Sequence, residues 1–385
     1  MTATFNIAPR WVADTKELGW GTLPTANNSS VGTDLVAWKD FQNLLYKSVA
    51  KGKLYNTDIV STYSLVYTSG AYNGGVVAPN GDIHFVPYGA AVGQKISANG
   101  TVSTYSLATT AGGVLYAGGV LAPNGDIHFI PNSSFTVGQK VSSSGVVSTY
   151  SLAYTSSSSD VYYGGVLAPN GDIHFIPVGT SNPGQKIDIN GVASTYTLIN
   201  GGTLYFGGVL APNGDIHFVP SFNGVTLLGQ KISVNGTVST YSLIGSGSYR
   251  GGVVAPNGDI HFIPYNISFS GQPVLKVSIN GVVSTYSYIV NNAGIPQYWG
   301  GVLAPNGDIH FVPYFSGAVG QKISVNGVAS TYSLPGTGLS YKGGILAPNG
   351  DIHFVPDIAN VGRKISTMSS PFSQGICMSP WFNKF

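Results

Sequence analysis

One phrase, written seven times, limits what this chain can fold into. It reads Gly-Gly-Val-Leu-Ala-Pro-Asn-Gly-Asp-Ile-His-Phe-Ile-Pro with small variations. Its Asp-x-His falls at Asp82/His84, Asp126/His128, Asp172/His174, Asp215/His217, Asp259/His261, Asp308/His310 and Asp351/His353. Successive copies are spaced from 43 residues (Asp172 to Asp215) to 49 (Asp259 to Asp308). A period of that size, with several short strands inside each copy, is the signature of a closed or stacked array whose units bury one another's apolar faces.

Two further phrases share the period. Ser-Thr-Tyr-Ser/Thr recurs from Ser61-Thr62-Tyr63-Ser64 to Ser330-Thr331-Tyr332-Ser333, and a Lys of the Gly-Gln-Lys-Ile-Ser type follows each Asp-x-His, at Lys95, Lys140, Lys186, Lys231, Lys276, Lys322 and Lys364. Each unit therefore offers four strands: A (Gly-Gly-Val-Leu-Ala), B (Asp-Ile-His-Phe-Ile), C (Gln-Lys-Ile-Ser-Val) and D (Val-Ser-Thr-Tyr-Ser-Leu). The A–B link Ala78-Pro79-Asn80-Gly81-Asp82 suits a type I turn with Gly81 left-handed in a bulge. The C–D link is Asn-Gly at Asn99-Gly100, Asn190-Gly191, Asn235-Gly236, Asn280-Gly281 and Asn326-Gly327, with Ser144-Gly145 in the second unit, which reads as a two-residue hairpin. A–B and C–D are then neighbours in one sheet. The unit boundary falls at D-to-A, because paired glycines at the start of A suit a crowded axis. The expected fold is all-β: a seven-bladed β-propeller of four-stranded antiparallel blades.

The turns also predict how the ring closes. The last C strand, Arg363-Lys364-Ile365-Ser366, has no Asn-Gly and no D phrase after it, whereas the first D phrase, residues 59–65, has no C before it. Pairing the two gives N-to-C strand closure and leaves no open blade edge. Three segments follow: 1–57, an extended arm and an amphipathic helix acting as an anchor; 58–366, the propeller; and 367–385, an aromatic tail with Trp381, Phe382 and Phe385. The helix is expected from Thr33 or Asp34 to about Lys51, with Leu35, Trp38, Phe41, Leu45 and Val49 on one face and Gly52 ending it.

Composition removes several classes of function. Charged residues are only 8%, Glu17 is the one glutamate, and Lys and Arg are scattered, so no basic stripe suits nucleic acid. Cys377 is the single cysteine, which excludes an intrachain disulfide framework. No apolar run is long enough for a membrane span, and the start, Met1-Thr2-Ala3-Thr4-Phe5, lacks the pattern of a secretory signal.

The recurrent Asp and His lie two apart on strand B, so they share a face. A ring of catalytic or metal sites is one reading. A hydrogen-bond network inside each blade, with Ser, Thr or Lys of neighbouring strands, is the favoured one, because one Asp-x-His does not supply the three or four ligands a metal needs. His-Glu-x-x-His, Gly-x-Ser-x-Gly, P-loop and paired-Cys motifs are absent, and from the first Asp-x-His to Ser366 the units offer only Asp160, Asp188 and Asp357 as further carboxylates. The expectation is no enzyme, no cofactor and no metal. Variation between units is more informative. The residue before Gly-Gly differs in every unit: Asn73, Ala117, Tyr163, Phe206, Arg250, Trp299 and Lys342. The tyrosine before it (Tyr72, Tyr116, Tyr162, Tyr205, Tyr249, Tyr298, Tyr341) does not change and reads as structural. Asn73, Tyr163, Phe206, Arg250, Trp299 and Lys342 should ring the channel mouth on the face of the D–A and B–C loops, as either a ligand site or channel filling. Those loops also vary, at 156–160, 268–273 and 291–297.

The Ala-Pro-Asn-Gly-Asp-Ile-His-Phe-Ile-Pro units, over residues 58–366, resemble those of repeat-bearing proteins of tailed bacteriophages. The resemblance implies a virion location and a structural or adhesive role, capsid- or tail-associated. It implies other virion proteins as partners of the N-terminal region and host-surface glycans as partners of the variable face, with homo-oligomerisation left open. It brings no catalytic residues. A lectin-like propeller outside any virion is the alternative, and an enzyme using the central pocket is the third reading.

Overall fold

The computed structural model describes residues 10–11, 18–19 and 58–367, apart from the connections at 69–71, 110–115, 134, 159, 180–181, 200–203, 222–227, 245–246, 267–273, 287, 290–296, 316–318 and 335–339. The expected helix, the rest of the arm and the tail beyond Thr367 lie outside the described residues, and so do most of the variable loops. Arg10–Trp11 and Leu18–Gly19 form a short antiparallel pair.

Every regular element among the described residues is a strand. The first unit shows the pattern: Tyr72–Val77 (A), Ile83–Pro87 (B), Val92–Ile96 (C) and Val102–Ser106 (D) pair antiparallel in that order. Five sheets are four-stranded in this way. The eight strands from Leu204–Leu210 to Val283–Tyr286 form one larger sheet, made of two A-to-D sets joined by the single pair Ser221↔Ser248. The expected boundary at D-to-A is therefore the observed one. The sheet that begins with Tyr341–Leu346 takes Ile59–Ser64 as its fourth strand, paired with Val361–Ser366 from Ile59↔Ser366 to Ser64↔Val361. Asp58, just before that strand, reaches the preceding sheet, where its carboxylate accepts from Lys322 Nζ at 2.5 Å.

Each A strand packs beside the A strand of the next unit, and the last returns to the first, so the described sheets close into a ring. Glycines set the spacing at the axis. The first of each Gly-Gly pair is left-handed (Gly118, φ 86), and a Cβ there would lie 2.9 Å from Gly164 Cα of the next unit. The bulge shifts the A–B register between Tyr116 and Gly119. The second glycine makes room for the neighbouring sheet: a Cβ on Gly75 would lie 2.2 Å from Ile345 Cδ1 and 2.9 Å from the His84 carbonyl oxygen. Apolar clusters consequently straddle adjacent sheets, as where Tyr72, Ile83 and Phe85 meet Ile345 and Val355.

The A–B turn has the expected form. Gly81 is left-handed (φ 87), its N–H donates to Ala78 O at 2.9 Å, and Ala78 N–H donates to Asp82 O at 2.7 Å. The C–D turn differs from the two-residue hairpin expected. Gly100 is left-handed (φ 88) but Asn99 is not, and Gly100 N–H donates to Ser97 O at 2.8 Å. This is the same four-residue turn plus bulge as A–B, because a type I′ turn needs two left-handed residues and here only glycine provides one.

Candidate functional site

Strand B places its Asp and His on one face, and strand C supplies the lysine. Lys Nζ lies on Asp Oδ2 at 2.7 Å in Lys95–Asp82, Lys140–Asp126, Lys186–Asp172 and Lys231–Asp215, at 2.9 Å in Lys276–Asp259, 3.1 Å in Lys322–Asp308 and 2.5 Å in Lys364–Asp351. In the first unit Asp82 Oδ1 also accepts from Ala98 N–H at 3.1 Å, tying strand B to the C–D turn. Burial alone would raise the Asp82 carboxyl pKa, but Lys95 and the Ala98 N–H outweigh it and hold it below the usual value.

Each histidine packs on the tyrosine of strand D rather than on Ser or Thr. Ring centroids lie 5.4 Å apart in Tyr63–His353, His84–Tyr105, His174–Tyr196 and His217–Tyr241, 5.0 Å in His128–Tyr150, 4.6 Å in His261–Tyr286 and 5.5 Å in His310–Tyr332. Nδ1 meets the hydroxyl at 3.2 Å in His84–Tyr105 and 3.0 Å in His217–Tyr241. That tyrosine lies across the glycine of Gly-Gln-Lys, where a Cβ on Gly93 would fall 2.2 Å from the Tyr105 ring. Burial, then the nearby lysine, pushes His84, His128, His217 and His261 down to about 4; burial does the same to His310 and His353. These six imidazoles are neutral at pH 7. Among the described residues no cluster of His, Cys, Asp or Glu could hold a metal ion.

The glutamine of Gly-Gln-Lys carries an interaction that sequence reasoning missed. Gln94 Oε1 accepts from Val66 N–H at 3.0 Å and Tyr67 N–H at 2.8 Å, in the D–A segment of the preceding sheet. Gln139 does the same for Ala108 and Thr109, at 2.8 and 3.0 Å. A buried amide thus staples one unit to the next. Its recurrence beside the lysine in five of the seven units, with Leu275 and Arg363 in the other two, was the available signal.

The residues expected at the channel mouth converge and meet one another across the axis. Asn73 Nδ2 donates to Tyr163 OH at 2.9 Å, joining the first unit to the third. The Tyr163 ring lies 5.1 Å from Phe206 and 5.9 Å from Trp299 of the sixth unit, and Ala117 is buried in the same cluster. The Arg250 guanidinium lies over Phe206, 3.4 Å from its centroid, and Lys342 Nζ is 5.1 Å from that of Trp299. Tyr163 is buried and its phenol pKa is pushed well up by desolvation.

A second set of residues was missed. The position after the final Pro of strand B also varies: Tyr88, Asn132, Val178, Ser221, Tyr265, Tyr314 and Asp357. Several of these enter the same assembly. Tyr265 and Tyr314 rings lie 5.2 and 4.8 Å from Trp299, Ser221 Oγ accepts from Arg250 Nη1 at 3.1 Å, and Asp357 pairs with Lys342 at 3.1 Å. Their variation was visible in the sequence, but their convergence depends on strand B ending beside the start of strand A.

No family model matches the chain and no curated protein matches it. Solved structures do. A streptogramin B lyase is 18% identical, with 82% of this chain and 99% of that one covered and a TM-score of 0.68. Virginiamycin B lyase from Staphylococcus aureus is 17% identical over 80% of this chain and 99% of its own, with a TM-score of 0.67. The WD40 β-propeller domain of Doa1 is 14% identical over 82% and 98%, with a TM-score of 0.59. At these identities the likeness is one of fold. The chain is a β-propeller of antiparallel, four-stranded repeats.

Proposed function

We propose that this chain is a structural and adhesive virion protein: a seven-bladed propeller associated with a phage capsid or tail, presenting its variable face to the host surface. The blade count takes the eight-stranded sheet as two blades whose strands pair through Ser221↔Ser248 alone. The observation that carries the functional reading is where the units differ. The A–B and C–D turns repeat nearly unchanged, while residues at the two variable positions, among them Tyr163, Val178, Phe206 and Trp299, come together at the axis on the opposite face. A rigid scaffold that keeps one face constant and diversifies the other suits recognition. The virion location rests on the likeness of the repeats to those of tailed phages. Residues 1–57 serve as the anchor in this reading, because the ring closes without them. The test is fractionation of assembled particles followed by mass spectrometry: the chain should travel with the particles, and a chain lacking 1–57 should not. Its absence from purified particles would overturn the virion role, and saturable glycan binding in that case would favour the lectin-like alternative.

A further inference from the structure

The two cations of the mouth are held differently. Lys342 has a counter-ion: its Nζ lies 3.1 Å from Asp357 Oδ1, and the other oxygen of that carboxylate accepts from Ser340 Oγ at 3.0 Å. Arg250 forms no ion pair among the described residues. Among the described residues its hydrogen bonds are two, both from Nη1, to Ser221 Oγ at 3.1 Å and Tyr249 O at 3.2 Å. Nε is buried without a partner among the described residues. The guanidinium sits among π faces instead, 3.4 Å from the Phe206 centroid, 4.3 Å from Tyr265 and 5.2 Å from Trp299.

Such an arrangement costs free energy that filling a channel does not require. Each cation–π contact contributes roughly 0.5–2 kcal/mol. A guanidinium has five N–H donors in a fixed fork, matched to two carboxylate oxygens, and most of these have no acceptor among the described residues. Burial pushes the Arg250 pKa down to about 10, so the side chain is still charged at neutral pH. Asp160, an exposed residue at φ 55, acts on it only through space. Beside it stand the phenols of Tyr265 and Tyr314, and next to Tyr314 is Phe315, half-exposed with ring centroids 4.5 Å apart.

We propose that the mouth is a binding site for an acidic saccharide, with Arg250 receiving its carboxylate. The hydroxyls of Tyr265 and Tyr314 face the sugar hydroxyls, and Phe315 offers the apolar ring surface, since Trp299 is already flanked by Arg250 and Lys342. The inference rests on the adhesive reading and names the ligand class of that site.

The experiment titrates the full-length protein at pH 7 with glucuronic acid, its methyl ester, glucose and acetate, followed by ligand-observed NMR. Glucuronic acid should bind saturably, and the ester and glucose at least tenfold more weakly. Arg250→Lys, which keeps the charge and loses the fork, should weaken glucuronic acid tenfold or more without lowering the Tm. The wild-type comparison of acid with ester decides the question even if the variant does not fold. Equal binding of acid, ester and glucose, or no binding of any, overturns the proposal. So does acetate competing as well as glucuronic acid, which would make the site a general carboxylate receptor. Host-cell adsorption of particles is measured in parallel: adsorption insensitive to glucuronic acid removes this inference and leaves the adhesive reading standing, whereas a chain absent from particles removes that reading and leaves the titration decisive.

Discussion

Mild acid should unfold this protein, and the repeated histidine is the cause. Six of the imidazoles have pKa values pushed down to about 4 from the ordinary 6.5, chiefly by burial. The unfolded chain therefore binds protons that the folded one refuses. Stability is whole above the unfolded value and is lost as pH falls through 6.5 towards 4. At pH 5 each such histidine costs about 2 kcal/mol, and six cost on the order of 10 kcal/mol, as much as the net stability of many proteins. The aspartates act in the same direction at lower pH: Asp82, Asp126 and Asp351 are held below the usual value despite burial, by their lysines and by hydrogen bonds. Urea unfolding midpoints at a series of pH values between neutrality and 5 should drop steadily. The slope near pH 5 should correspond to uptake of about five protons on unfolding. A midpoint that stays flat over that range would show that the histidines are not neutral and buried as described.

Deleting residues 1–66 removes the strand Ile59–Ser64 and exposes the edge of Val361–Ser366; the product should self-associate or melt earlier, and a monomer of unchanged Tm on light scattering and calorimetry would refute the clasp. Gly118→Ala places a Cβ 2.9 Å from Gly164 Cα at a left-handed position; a loss of about 2 kcal/mol or more is expected in denaturant titration, and no change would refute close packing of the A strands at the axis. Gln139→Ala leaves the Ala108 and Thr109 N–H groups without their acceptor, for a loss of about 2–3 kcal/mol. Gln139→Leu is the informative companion, because Leu275 occupies that position in the fifth unit and is fully buried there; equal stability of both variants with wild type would dismiss the staple.

Local chemistry explains what could be read in advance. Pro-Asn-Gly and Asn-Gly fix turns within five residues, so strand order inside a unit followed from the chain, and the surplus D phrase at 59–65 followed from counting turns. The two turn types could not be told apart, because Asn-Gly is compatible with both a two-residue hairpin and a four-residue turn with a bulge, and strand register decides between them. The same limit applies to Gln94 and Tyr105. Their recurrence was plain, but Gln94 bonds residues 27 and 28 positions away in another sheet, and Tyr105 lies over Gly93 across a ladder. Sequence repetition identifies such positions as structural without saying what they touch.

Repetition also explains why the mouth must vary. Seven identical side chains entering one axis would place like beside like, and no single side chain fills such a space well. Here Asn73 and Ala117 are small where Tyr163, Phe206, Arg250, Trp299 and Lys342 are large, and Tyr163 extends over the small side until Asn73 donates to its hydroxyl. Volume complementarity of this kind is what filling demands, and it accounts for the aromatic residues without any ligand. Filling does not demand a guanidinium. A leucine or methionine at position 250 would cover Phe206 and Tyr265 at no desolvation cost, whereas Arg250 brings a charge and a buried Nε that find neither ion-pair partner nor acceptor among the described residues. Packing and recognition thus predict different chemistry at a single position. Replacing Arg250 with methionine should raise the Tm if the guanidinium is there for a ligand, and lower it if the cation–π contacts are what hold the mouth together.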